Sequence, residues 1–293
     1  MKKSDIENII KGRILSNEPL KNHTTYRIGG LSDFFIYPES KKDLLVLIKF
    51  FNSQEYPYFI LGNGSNILVS DDGYRGAIIN TKKTFSKIEV FQNEILCEAG
   101  AMLSSVAKTA MTRNLSGFEE LAGVPGTIGG AIMMNAGCYG RSISDNLKMV
   151  EIIDKDGNLQ KLKASEISFG YRKCSLEGVI IRAIFHLSME NIVKIENKMN
   201  ELLLKRKKSQ PLTLPSCGSV FKRPKGHFAG KLIEDSMLKG KIIGGAMVSK
   251  KHAGFIINYD KATSEEVKEL IQLVQDKVKD KFDVLLEKEV IYL

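Results

Sequence analysis

Seven of the chain's 25 glycines fall within residues 117–140: Gly117, Gly123, Gly126, Gly129, Gly130, Gly137 and Gly140. That is roughly four times the ~7% background. Glycine lets a backbone adopt positive φ and come close to a ligand. Consecutive free N–H groups then form a concavity suited to anions. A second loop, Gly62-Asn63-Gly64-Ser65-Asn66, directly follows a predicted strand. It opens like a dinucleotide fingerprint, but Ile67 occupies the third glycine position, which disfavours a Rossmann unit. Gly226–Lys231 is one residue too short for a Walker loop, and Leu232 replaces its hydroxyl residue. Two such loops in one region predict a large cofactor carrying a diphosphate.

Periodicity places these loops in an α+β chain. Asp33–Pro38 and Tyr56–Leu61 read as strands flanking a helix near 40–53, and residues 1–20 as a short helix and a loop. Further strands are expected at Ile78–Asn80, Lys87–Phe91, Ile95–Glu98, 148–154 and 179–187, with the strand at 148–154 closed by the Asp156-Gly157 turn. Met102, Val106, Ala110 and Leu115 line a helix. A basic amphipathic helix begins near 190, where a domain boundary is placed. A helix near 229–238 and strands near 242–258 come next. The last helix opens with the capping box Thr263-x-x-Glu266, and Glu289–Leu293 reads as a terminal strand.

Charge is uneven. The net +9 is concentrated between Lys205 and Lys251, where twelve basic residues face two acids, Glu234 and Asp235. Such a block attracts nucleic acid or a phosphorylated small molecule. It holds only two aromatics, Phe221 and Phe228, and is rich in glycine, which favours the small molecule. The Lys205-Arg206-Lys207-Lys208 tetrad reads as a solvated helix end. The four cysteines, Cys97, Cys138, Cys174 and Cys217, form no Cys-x-x-Cys pair, and the four histidines are scattered. Free thiols and no metal site are expected. No signal-peptide core comes after Met1 and no apolar run reaches membrane length, so the chain reads as soluble and cytoplasmic.

Several blocks, taken in order, resemble one family. They are Thr24-Thr25-Tyr26-Arg27-Ile28-Gly29-Gly30, Leu61-Gly62-Asn63-Gly64-Ser65-Asn66 and Gly123-Val124-Pro125-Gly126-Thr127-Ile128-Gly129-Gly130-Ala131. Further along stand Gly170-Tyr171-Arg172, Gly218–Pro224, Ala229–Glu234 and Val248-Ser249-x-x-His252-Ala253-Gly254-Phe255. The set is similar to the UDP-N-acetylenolpyruvoylglucosamine reductases, also called UDP-N-acetylmuramate dehydrogenases, in their shorter second subtype. The resemblance spans residues 20–290 and implies a two-lobed vanillyl-alcohol-oxidase (PCMH-type) FAD-binding domain at 21–189, after an extension at 1–20. A C-terminal α+β substrate-binding domain would occupy 190–293.

The resemblance further implies non-covalent FAD, NADPH as co-substrate, and UDP-N-acetylglucosamine-enolpyruvate as the acceptor, reduced to UDP-N-acetylmuramate for peptidoglycan. A monomer without nucleic-acid or membrane partners is expected. Arg172 matches the arginine that stabilises negative charge, Ser219 the proton donor, and Glu289 the C-terminal glutamate. Glu287 is a nearby competitor on the same face if the terminal segment alternates as a strand. Arg27, Gly62, Asn63, Gly64, Ser65, Asn66, Gly123, Pro125, Gly126, Thr127, Gly129, Gly130, Asn135 and Gly137 would contact the flavin dinucleotide. Lys222, Lys239 and His252 would meet substrate phosphate or nicotinamide. The chain departs from the family where Ile291 replaces an arginine, Ser236-Met237 replaces an Ala-Gly pair, and Cys138 replaces alanine. Two readings compete: another FAD oxidoreductase on this fold, and a basic nucleic-acid-binding protein.

Overall fold

The structure is a computed structural model that describes every residue from Met1 to Leu293. It is α+β, with seven α-helices interleaved with strands. The residues form two compact units. One comprises Met1–Ser16, Asp33–Asn63 and Gly76–Lys205; the other comprises Asn17–Ser32, Gly64–Arg75 and Arg206–Leu293. These units interleave, whereas the sequence reading cuts the chain into the consecutive segments 1–20, 21–189 and 190–293. The reason lies in three side chains. Tyr26, Ile28 and Leu68 are buried in the core of the second unit, carrying their short segments with them.

In the first unit, one lobe is built on a four-stranded sheet in the order Arg13–Pro19, Leu31–Tyr37, Tyr74–Asn80, Tyr58–Leu61. Helix α2 (Lys41–Ser53) starts where the Ser40 hydroxyl accepts from the Asp43 N–H at 3.1 Å, an N-cap. Leu44, Leu47, Ile48 and Phe51 recur at helical spacing and are fully buried against Phe34, Ile36, Ala77 and Ile79. Helix α1 (Lys3–Glu7) adds Ile6 to this core. Tyr58–Leu61 runs parallel to Tyr74–Asn80, so the Gly62–Asn66 loop leaves the carboxyl end of a parallel strand, where open α/β sheets place ligands. Arg13–Pro19, expected as loop, is a strand. Only Ile14 is buried along it, so its alternation is too faint to read.

The other lobe holds a five-stranded antiparallel sheet in the order Leu159–Lys163, Leu147–Ile153, Val179–His186, Glu94–Glu98, Ile88–Phe91. Gly157, at φ 77°, donates its N–H to the Asp154 carbonyl at 3.0 Å and turns the first hairpin. Helices α3 (Leu103–Thr112), α4 (Ile128–Met133) and α5 (Ile192–Ser209) contribute Val106, Ala110, Ile128, Ile132, Ile195 and Met199 to one core. Helix α5, expected to open the last domain, therefore buries its apolar face here. The two lobes are joined at Glu151, whose buried carboxylate accepts from Lys41 of α2 and from Arg182 Nε at 2.6 Å.

The second unit has a four-stranded antiparallel sheet in the order Ser216–Ser219, Phe255–Asn258, Ala246–Val248, Ile242–Ile243. Helices α6 (Ala229–Asp235) and α7 (Ser264–Phe282) share its core. The capping box of α7 forms as read: Glu266 N–H donates to Thr263 Oγ1 at 3.2 Å and Thr263 N–H to Glu266 Oε2 at 2.9 Å. The expected terminal strand shrinks to Ile291–Tyr292, parallel to Ile67–Leu68. No helix is long and apolar enough to cross a membrane.

Candidate active site

In the first unit the two glycine stretches meet. A Cβ on Gly62 would lie 2.2 Å from Thr127 Oγ1. Asn63 Nδ2 donates to the Pro125 carbonyl at 2.6 Å, and its Oδ1 accepts from Lys82 Nζ at 2.7 Å. Asn80 Nδ2 holds the Gly62 carbonyl at 3.1 Å. The Asn63 side chain thus ties the two loops together. Lys82 and Asn80 were outside the sequence expectation; no motif marks them.

The glycines divide by what a side chain would strike. At Gly62 the protein's own packing forbids one, and at Gly129 a Cβ would press on Ala99 at 3.0 Å. At Gly126 and Gly130 a Cβ would meet only one protein atom, at 3.6 and 3.5 Å, so internal packing does not explain the missing side chains. Open space beside them leaves room for a ligand to approach the backbone. The main-chain N–H groups of Gly123, Thr127 and Gly130 donate to nothing within the chain. Asn135 is buried and sits at φ 38°. Its Nδ2 donates to the Gly170 carbonyl at 3.0 Å, while its buried Oδ1 has no partner. A buried acceptor left unpaired is costly and signals a missing donor.

Arg172 lies beside this stretch. It turns the hairpin Phe169–Gly170/Lys173–Cys174 at φ 57°, strained for a residue with a side chain. Its Nη2 donates to the Gly137 carbonyl at 2.9 Å, and its guanidinium stacks 4.8 Å from the Tyr171 ring centroid. Asn135, Gly137 and Arg172 therefore form one connected group. Cys138 belongs to a two-residue strand pairing with Arg141–Ser142.

The second unit holds the remaining candidates. Tyr26 is fully buried, its hydroxyl donating to the Ile256 carbonyl at 2.8 Å, and Asn258 Nδ2 donates to the Tyr26 carbonyl at 3.1 Å. Thr25 Oγ1 bonds the Ser216 carbonyl at 2.7 Å, and the Thr25 N–H bonds the Gly64 carbonyl at 3.1 Å. These anchors bring Arg27, at φ 56°, and the Gly64–Asn66 loop into one neighbourhood. Gly64 has φ 62° and presses on His23, where a Cβ would sit 2.4 Å from the carbonyl. The N–H groups of Gly64, Ser65 and Asn66 find no acceptor in the chain. Three such donors in succession suit a diphosphate.

Ser219 ends its strand after a bulge: Ser216 pairs with Ile257 and Ser219 with Phe255, leaving one extra residue, with Gly218 at φ 83°. Bulges re-aim side chains beside active sites. Residues 287–289 run alongside 220–222: Lys222 N–H donates to the Glu287 carbonyl at 2.8 Å, and Glu289 N–H to the Val220 carbonyl at 2.7 Å. Glu289 is half-buried, whereas Glu287 is exposed and bonds Lys222 Nζ at 3.2 Å. The alternation expected to put both glutamates on one face does not apply, because the segment is not a regular strand.

Lys239 pairs with Glu234 at 2.7 Å. His252 Nδ1 accepts from the Gly254 N–H at 3.2 Å, and the ring packs edge-on against Phe255. Burial, aided by nearby Lys239, pushes its pKa below the ordinary histidine value, so the imidazole is neutral near pH 7. Burial pushes the Cys217 thiol up to about 12, keeping it protonated. All four cysteines are free, and no cluster of metal-ligating residues occurs.

Two family descriptions match the chain. "UDP-N-acetylenolpyruvoylglucosamine reductase, C-terminal domain" matches residues 210–293, and "FAD binding domain" matches 32–163. The chain is 45% identical over 289 residues to the UDP-N-acetylenolpyruvoylglucosamine reductase of Caldanaerobacter subterraneus, covering 97% of this chain and 95% of that protein. It is 44% identical over 291 residues to the reductase of Clostridium tetani, covering 98% and 94%. The crystal structure of the Thermus caldophilus reductase superposes with a TM-score of 0.83 at 33% identity, covering 97% of this chain and 99% of that one. The BBE-like 1 protein of Physcomitrella patens is similar over 64% of this chain and 45% of its own, with a TM-score of 0.50 at 13% identity; this likeness concerns the fold alone.

Proposed function

The chain belongs to the UDP-N-acetylenolpyruvoylglucosamine reductase family, and on that premise we propose how its residues divide the work. It is an FAD-dependent oxidoreductase that reduces UDP-N-acetylglucosamine-enolpyruvate to UDP-N-acetylmuramate, a peptidoglycan precursor, with NADPH as co-substrate. The residues fit the flavin dinucleotide. In the first unit Gly126 and Gly130 admit a close ligand and Asn135 Oδ1 waits for a donor; in the second, the unpaired N–H groups of residues 64–66 suit a diphosphate. Held by these residues, FAD would supply the hydride-transfer chemistry that saturates the enolpyruvyl double bond at its terminal methylene carbon.

The chain's own residues manage the charge and the proton in the substrate. Negative charge builds on the carbon next to the carboxylate and spreads into it. Arg172, charged at any working pH, stabilises this enediolate-like species. The Ser219 hydroxyl donates the proton; the strong basicity of the intermediate makes a weak acid sufficient. Glu289 holds and polarises the intermediate. Lys222, Lys239 and neutral His252 serve the substrate diphosphate or the nicotinamide. The ion pairs Lys222–Glu287 and Lys239–Glu234 would be exchanged for phosphate contacts.

The observation that best supports this reading is the Glu289 N–H bond to the Val220 carbonyl, 2.7 Å, directly after Ser219. We further read the protein as a cytoplasmic monomer without nucleic-acid or membrane partners. Anaerobic stopped-flow tests the assignment. Arg172→Ala and Ser219→Ala should leave flavin reduction by NADPH largely intact while reoxidation by the enolpyruvyl substrate collapses. Equal loss in both half-reactions would refute the roles.

A further inference from the structure

We infer that Asn66 is a positioning residue that fixes Glu289 for the reducing step; this deepens the role of Glu289 proposed above and rests on it. Asn66 closes the glycine loop expected to carry the dinucleotide, and sequence reasoning counts it among the cofactor contacts. Its side chain does something else. Nδ2 donates to the Glu289 carbonyl at 3.1 Å, and the Asn66 carbonyl accepts from the Ile291 N–H at 3.0 Å. One residue thus brackets Val290 from both sides.

The rest of the tail keeps the same register. Ile67 and Leu68 pair in parallel with Ile291 and Tyr292, Leu293 N–H donates to the Leu68 carbonyl at 3.0 Å, and Ser70 N–H to the Leu293 carbonyl at 2.6 Å. Those bonds are backbone to backbone and indifferent to side-chain identity. The Asn66 amide is different, being a side-chain donor aimed at the peptide of Glu289. That residue is held at both ends, its N–H by the Val220 carbonyl and its carbonyl by Asn66. Val220 comes directly after the proton donor and Asn66 ends the cofactor loop. The placement of the Glu289 Cα is therefore referred to both. Asparagine suits the task because its amide reaches the carbonyl while its own main-chain N–H stays available to an anion. Aspartate has the same shape but offers only acceptors, so it would repel the carbonyl it faces.

The test compares Asn66→Asp, Asn66→Ala, Glu289→Gln and the double variant Asn66→Asp/Glu289→Gln as holoenzymes under saturating FAD. Two quantities are read: the ratio of flavin reoxidation by substrate to flavin reduction by NADPH, and hydrogen exchange in the peptide covering residues 286–293. A misplacement of catalytic groups of around 1 Å costs up to about 100-fold. Asn66→Asp is expected to lower the ratio by roughly ten- to hundredfold and to speed exchange at 289–291. The double variant should be no slower than the worse single one. Should Asn66→Asp not fold, Asn66→Ala carries the same test without the repulsion. An unchanged ratio, or equal losses in both half-reactions, overturns the inference and leaves Asn66 a cofactor or folding residue. If Glu289→Gln itself reoxidises at the wild-type rate, the role of Glu289 fails. If Glu289→Gln is slow while Asn66→Asp keeps the wild-type ratio, only the role of Asn66 fails.

Discussion

The N–H of Glu289 donates to the carbonyl of Val220 across 2.7 Å. Two residues separated by most of the last third of the chain are thereby held in register, and the glutamate's place is tied to that of Ser219. In the site proposed above, the bulge at Gly218 sets the backbone of the serine and the tail bonds set that of the glutamate. A site made this way depends on backbone hydrogen bonds more than on side-chain packing, so its integrity can be probed apart from its chemistry.

The segment containing Arg27 is anchored by Tyr26. Its hydroxyl bonds the Ile256 carbonyl at 2.8 Å inside the core, and burial holds its pKa well above the ordinary tyrosine value. Tyr26→Phe is expected to cost about 1–2 kcal/mol, the loss of one buried hydrogen bond, read by urea denaturation. A stability equal to wild type would show that the hydroxyl contributes nothing.

Glu151 joins the two lobes of the first unit. Burial pushes its carboxyl up, but hydrogen bonds and charges from Lys41 and Arg182 outweigh burial and hold it below the usual range. A folded pKa below the unfolded value of about 4.3 means that the stabilisation is present above that pH. It is lost as pH falls through the folded value. Glu151→Gln should cost about 1–3 kcal/mol at pH 7, with the gap to wild type closing below pH ~4. A constant gap from about pH 7 to about pH 3 would contradict this.

His252 is shifted in the same direction, but by burial instead of by ion pairing. Its folded pKa lies below the ordinary value, burial being the main cause. The stability linked to it is therefore present above about pH 6.5 and is lost as pH falls through the folded pKa. An NMR titration of the holoenzyme should place its midpoint below about 6.5, and a midpoint at or above that value would restore it as a cation near neutral pH.

Much of this was legible in sequence because the signals are local. The capping box at Thr263, the helix near 40–53 and the Asp156-Gly157 turn each depend on neighbours a few residues away, and each formed as read. The glycine-dense stretch hid α4, because Ile128–Met133 is short and begins among glycines. What sequence could not supply was long-range pairing. Nothing near Tyr26 shows that it belongs with Ile256, and nothing near Asn66 shows that its amide faces Glu289. Burial of Ile195 and Met199 against the five-stranded lobe likewise moved α5 away from the segment it was assigned to.

The central claim is that Ser219 and Glu289, fastened through the bond to Val220, act on one intermediate. A double-mutant cycle on flavin reoxidation by the enolpyruvyl substrate measures this directly, using Ser219→Ala, Glu289→Gln and both together. Groups acting as a unit are strongly non-additive. The account predicts that the double variant reoxidises within about threefold of the slower single variant; losses that multiply, as for independent sites, would contradict it.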